Sequence, residues 1–143
     1  MLRIFILIAI MAFAASAAHA SGLNIKKSNL IEFGKSDRLT AYVVKDSKTT
    51  NADGSVGADV LFTYTELGSK LIFASTKKAD RPNVALMTYH VKCNEAKSRI
   101  TYVKTFRPGR DLEDGPIKQK YGKIADGSIE SVLMEVVCSP NFE

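Results

Sequence analysis

Two cysteines constrain this chain more than any other feature in it. Cys138 closes the stretch Asp126-Gly127-Ser128-Ile129-Glu130-Ser131-Val132-Leu133-Met134-Glu135-Val136-Val137-Cys138, and Cys93 closes an alternating pattern that begins at Val84. The first stretch predicts a capped amphipathic helix. Asp126 or Ser128 is the cap, and Ile129, Val132, Leu133, Val136 and Val137 recur at i, i+3, i+4, i+7 and i+8 as one apolar stripe. Glu130 in the first turn suits the positive end of the helix. In the second pattern Met87, Tyr89, Val91 and Cys93 lie on one side, with Leu86, Thr88, His90 and Lys92 on the other. That is the period of two of a half-buried strand, and it aims Cys93 at the core. A bridge between the two cysteines staples a helix to a sheet. On ideal geometry Cys138 lies nearly opposite the apolar stripe, so the helix has to end or bend just before it; Pro140 marks such an end.

Whether the bridge forms depends on compartment. Met1-Leu2-Arg3 carries one positive charge, Ile4 to Phe13 is almost continuously apolar, and Ala18-His19-Ala20 is a small-x-small cleavage site. A spanning helix needs about 20 apolar residues, and this run gives way to small residues sooner. Residues 1–20 therefore read as a cleaved secretory signal, and residues 21–143 as a single domain of the periplasm or the secreted space. No cysteine lies near the junction to carry a lipid, so no membrane anchor is expected after cleavage. In an oxidising compartment the only two cysteines read as one disulfide, Cys93 to Cys138. A redox pair would sit closer in sequence, and a metal site would need more ligands than His90, the only histidine after residue 20.

The remaining chain reads as sheet. Asn29 to Phe33 is a short strand and Gly34 to Asp37 a turn. Leu39 to Val44 and Ala58 to Tyr64 alternate and are rich in β-branched and aromatic residues, so they predict a hairpin with a long polar loop whose Asp53-Gly54 pair is its turn. Leu67-Gly68-Ser69 breaks the pattern before a third strand, Lys70 to Ser75. Thr76 to Asn83 is a polar loop. Arg99 to Phe106 returns beside Val84–Cys93 with Ile100, Tyr102 and Phe106 inward; Lys104 is an exception whose stem lies along apolar surface. Arg107 to Pro116, with two Pro and two Gly flanking four charges, reads as a surface loop. The expected fold class is α+β: an antiparallel β-sheet of about five or six strands packed against a C-terminal α-helix, with one disulfide.

Chemistry is harder to find. One histidine after residue 20 and no free cysteine leave few nucleophile–base arrangements. Asp111, Glu113 and Asp114 sit among arginines, where solvated charge is the expectation, and no Gly-rich loop precedes a helix to cradle phosphate. No catalytic residue, metal site or cofactor is expected. The net charge is +5, of which Arg3 contributes one, and it is spread along the chain, so it does not imply nucleic acid. Basic residues at Lys77, Lys78, Arg81, Arg107 and Arg110 form a possible contact patch for an acidic partner, on two loops whose adjacency the sequence leaves open.

The strand ending in Cys93, the charged Pro/Gly loop, and Tyr121-Gly122-Lys123-Ile124-Ala125-Asp126-Gly127-Ser128…Leu133…Val137-Cys138 together resemble the surface-adhesin protein E family of exported Gram-negative bacterial proteins. The resemblance covers most of residues 21–143 loosely and residues 121–138 more closely. It implies a small antiparallel sheet on a C-terminal helix with Cys93 and Cys138 bonded, and a non-enzymatic role in binding host matrix proteins or haem. Two departures stand out: the lipidation cysteine is missing, and Tyr121 replaces a Trp common in relatives. Only the disulfide is carried over. The expected function is a binding module for a protein or acidic macromolecule of the envelope or host matrix. The alternative is a haem-type small-ligand carrier, using a cleft between sheet and helix with His90 and the tyrosines as the axial ligands.

Overall fold

A computed structural model describes residues 23–142 of the chain, so the expected signal segment, residues 1–20, lies outside the described residues. Strands β1 (Leu30–Lys35), β2 (Leu39–Val44), β3 (Thr49–Thr50), β4 (Val56–Tyr64), β5 (Val84–Lys92), β6 (Lys97–Arg107), β7 (Arg110–Pro116) and β8 (Gly122–Lys123) form one sheet. Its main path is β1-β2-β4-β5-β6-β7, every pair antiparallel, with the two-residue strands β3 and β8 added on β4 and β6. The chain is an antiparallel meander in which successive long strands are neighbours. Helix α1 (Glu66–Ile72) follows β4, and helix α2 (Ile129–Val137) ends the fold. This is the α+β class that the alternating patterns and the C-terminal stripe predict.

The core lies between one face of the sheet and α2. Ala41, Val43, Ala58, Val60, Phe62, Ala85, Tyr89 and Val91 point there from β2, β4 and β5, and Ile124, Leu133, Val137 and Phe142 close it. Ser128 caps α2 by accepting a hydrogen bond from the Ser131 N–H at 3.2 Å. The helix stops at Val137, and Cys138 is bonded to Cys93 with the two Cα atoms 5.9 Å apart. The misfit of Cys138 with the apolar stripe is resolved by rotation. Leu133 and Val137 are buried, with Ile129, Met134 and Val136 partly buried beside them, while Val132 is 37% exposed. Turning the helix toward Met134 brings Cys138 round to the sheet.

Four expectations are corrected. Lys70–Ser75 is not a strand: Glu66–Ile72 is helical, and Leu67-Gly68-Ser69 lies inside it rather than breaking a pattern. Thr65 caps this helix by accepting from the Gly68 N–H at 3.0 Å. The turn expected at Gly34 begins later, because β1 runs on to Lys35; Ser36 Oγ then accepts from the Arg38 and Leu39 N–H groups. Arg107–Pro116 is not a loop. Pro108-Gly109, with Gly109 at φ 71°, turns β6 into β7, an edge strand whose charged residues show no apolar period to read. Neither Tyr102 nor Phe106 faces inward. The β5–β6 register slips between Thr88 and Tyr89, leaving Thr101 unpaired, so Val103 and Thr105 take the inward positions. Tyr102 is turned out and donates its O–H to the Asp114 carboxylate, while Phe106, paired with Val84, is fully buried on the sheet's other face with Lys104 above its ring.

Candidate functional site

The loop Phe73–Asn83 carries no regular strand, yet it is tied down at both ends. Arg81 Nε donates to the Thr76 carbonyl at 3.0 Å, and the buried Ser69 hydroxyl donates to the Pro82 carbonyl at 2.8 Å. From the end of β6, Arg107 donates to the carbonyls of Lys78, at 3.0 Å, and of Arg81. These bonds use guanidinium N–H groups but neutralise nothing, because carbonyls carry no net charge. The cations are therefore held in place with their charge intact.

Between this loop and α1 lies a concave cavity of about 350 Å³, lined by Glu66, Leu67, Ser69, Lys70, Lys78, Arg81 and Arg107. Arg110 reaches the same loop from β7 through an ion pair to Asp80 at 3.0 Å. Lys77 precedes Lys78 on the exposed rim. The five basic residues that the sequence placed on two separate loops thus meet on one surface: Lys78 and Arg81 from the first, Arg107 from the second, with Lys77 and Arg110 flanking. Lys70 joins them and was missed, because its segment reads as a strand. The signal was present in Thr65-Glu66, a capping residue followed by an acidic first turn. Among the described residues, Lys70, Lys77 and Lys78 have no carboxylate within ion-pair distance. Such a cavity can attract anionic groups.

A second polar constellation stands at the other end of β5, near the disulfide. Tyr121 donates its hydroxyl to Asp53 Oδ2 at 2.7 Å, and Lys92 Nζ and Arg99 Cζ each stand 4.5 Å from its ring centroid. Asp53 also accepts from the hydroxyl and the N–H of Ser55, at 2.6 and 3.0 Å. These donors hold the Asp53 carboxyl well below the usual carboxylate range. His90 pairs with Arg99 across the strands; burial and then the Arg99 charge push its pKa down, and its Nδ1 and the Arg99 Nε are buried without hydrogen-bond partners. His90 is thus on the face away from α2, while the helix-side face is filled by packed aliphatic and aromatic residues.

Because folding lowers the Asp53 pKa, its ionised form favours the folded state. That contribution is complete above the ordinary value of 3.8 and is lost as pH falls below it. Asp53→Asn should accordingly flatten the acid-side loss of stability, read as urea midpoints between about pH 5 and pH 2; an unchanged slope would remove Asp53 from the account of acid unfolding.

Among the described residues, no helix is long and apolar enough to cross a membrane, and no group of three or more His, Cys, Asp and Glu stands where it could hold a metal. No family model matches the chain, and no curated protein or solved structure matches it either.

Proposed function

We propose that this chain is an exported, non-catalytic binding module of the adhesin-E type that engages an acidic macromolecule of the cell envelope or host matrix. The observation that carries the reading is the convergence of Lys70, Lys78, Arg81 and Arg107 on one 350 Å³ cavity, with Lys77 and Arg110 at its rim. Charge arranged this way raises the encounter rate with an acidic partner and makes binding sensitive to salt. The N-terminal segment supports export, and the Cys93–Cys138 bond suits an oxidising compartment.

The test uses two lysines of the loop whose side chains make no hydrogen bond. Lys77→Glu combined with Lys78→Glu should lower affinity for a soluble polyanion such as heparin by about tenfold or more. The variant should keep the wild-type thermal midpoint, since both side chains are exposed. Equal retention of variant and wild type on a heparin column, across a salt gradient, would remove the patch from the reading.

A further inference from the structure

The basic cavity has an apolar border that a purely electrostatic contact does not require. Six large hydrophobic residues are exposed among the described residues, and three of them are on α1: Leu67 at 46%, Leu71 at 46% and Ile72 at 45%. Such grouping on a seven-residue helix is not the scatter expected of a soluble surface. Leu67 and Leu71 are one turn apart and so project together, with Lys70 beside them. Leu67 itself lines the cavity alongside Lys70, Lys78, Arg81 and Arg107. The helix is fixed from behind by Gly68 and Ser69, both buried, so its outer side is presented rigidly.

We propose that this surface docks on an anionic lipid bilayer, with phosphate headgroups over the basic cavity and Leu67 and Leu71 entering the headgroup–acyl boundary. The inference rests on the acidic-partner reading above and names the partner. A soluble polyanion satisfies the cations only, whereas a lipid surface satisfies the cations and the leucines at one plane. Glu66 is the one acidic residue that lines the cavity; Asp80 beside it is already occupied by Arg110, and Asp37 stands at the N-terminal end of α1. The charge facing outward is therefore positive, with three lysines free to reach headgroups. The docking is peripheral: a short amphipathic border of this kind rests on a membrane and does not span it.

Cosedimentation of residues 21–143 with vesicles tests it. Phosphatidylglycerol vesicles at low salt should carry the protein down, and phosphatidylcholine vesicles should not. Leu71→Gln, outside the cavity lining, keeps helix propensity and changes only an exposed side chain; it should reduce partition onto phosphatidylglycerol about fivefold while leaving heparin retention unchanged. Lys77→Gln with Lys78→Gln should reduce both, with partition falling about 30-fold, roughly fivefold per lysine. Far-UV circular dichroism confirms that each variant is folded. Heparin retention without vesicle binding would overturn the lipid surface and leave the acidic-partner reading standing. Loss of both in the wild type would overturn both. A leucine variant that partitions like the wild type would also overturn the proposal, since headgroup charge alone would then account for binding.

Discussion

Gly68→Ala is expected to destabilise the domain by about 3 kcal/mol or more, against the ordinary sign for such a change. In an exposed helix interior, replacing Gly by Ala gains roughly 1 kcal/mol. Here a Cβ on Gly68 would stand 2.6 Å from the Arg38 carbonyl carbon and 2.9 Å from its Cα, and nearer still to its oxygen. Those are backbone atoms, so no side chain can swing away. The Arg38 carbonyl is also engaged, accepting from the Thr65 N–H at 2.9 Å and the Thr65 hydroxyl at 3.2 Å. Relief of the clash has to pull α1 off the β1–β2 turn and take the Thr65 cap with it. Overpacking against a fixed backbone is among the costly single changes. Urea denaturation measures it, with Lys70→Ala on the outer side of the same helix expected within about 0.5 kcal/mol of wild type. A Gly68→Ala protein as stable as wild type would mean that α1 does not sit against Arg38.

Removing the disulfide should have an effect of similar size for a different reason. Cys93 and Cys138 close a loop of 45 residues in sequence separation. The chain-entropy account gives such a crosslink about 4 kcal/mol, acting on the unfolded chain. For a domain of this length that is a fall in thermal midpoint on the order of 15 °C. The paired Cys93→Ala and Cys138→Ala variant avoids leaving a free thiol. Both sulfurs pack on the edge of the main core, so some lost contact adds to the entropic term. Calorimetry of the variant beside wild type checks the value. A shift of only a few degrees would place the stability of the α2 contact in Leu133 and Val137 rather than in the bond.

The parts of this fold that were legible in the sequence are those governed by one regular period over many residues. β4 and β5 alternate for nine residues each, and the faces they turn to the core are the ones the alternation assigns. The α2 stripe was legible as a helix, but not its rotation, because the pull of Cys138 toward Cys93 is a long-range constraint. Failures occur where a local signal is overridden. Gly68 reads as a breaker, yet it is glycine because Arg38 passes close by. One unpaired residue at Thr101 reverses the faces that follow, and a period of two cannot announce it. β7 has too few apolar residues to display any period. For the candidate site, the basic residues were visible individually. Their convergence was not, since it depends on Arg107 reaching carbonyls 29 and 26 residues earlier in the chain.

The meander carries a further consequence for how such a domain can vary. Each long strand pairs with its neighbour along the chain, so the connections never cross and a hairpin tip takes no part in pairing the other strands. Gly54 and Gly109 lie at two such tips, in open space with nothing within 4 Å of where a Cβ would stand. Extra residues inserted at the Pro108-Gly109 turn would lengthen the segment enclosed by Cys93 and Cys138. Closing a loop of twice the length costs only about 0.6 kcal/mol more. The architecture is therefore permissive to changes of length at its tips and strict about volume at Arg38 and Gly68, and an epitope or reporter peptide carried by this protein belongs at residues 108–109.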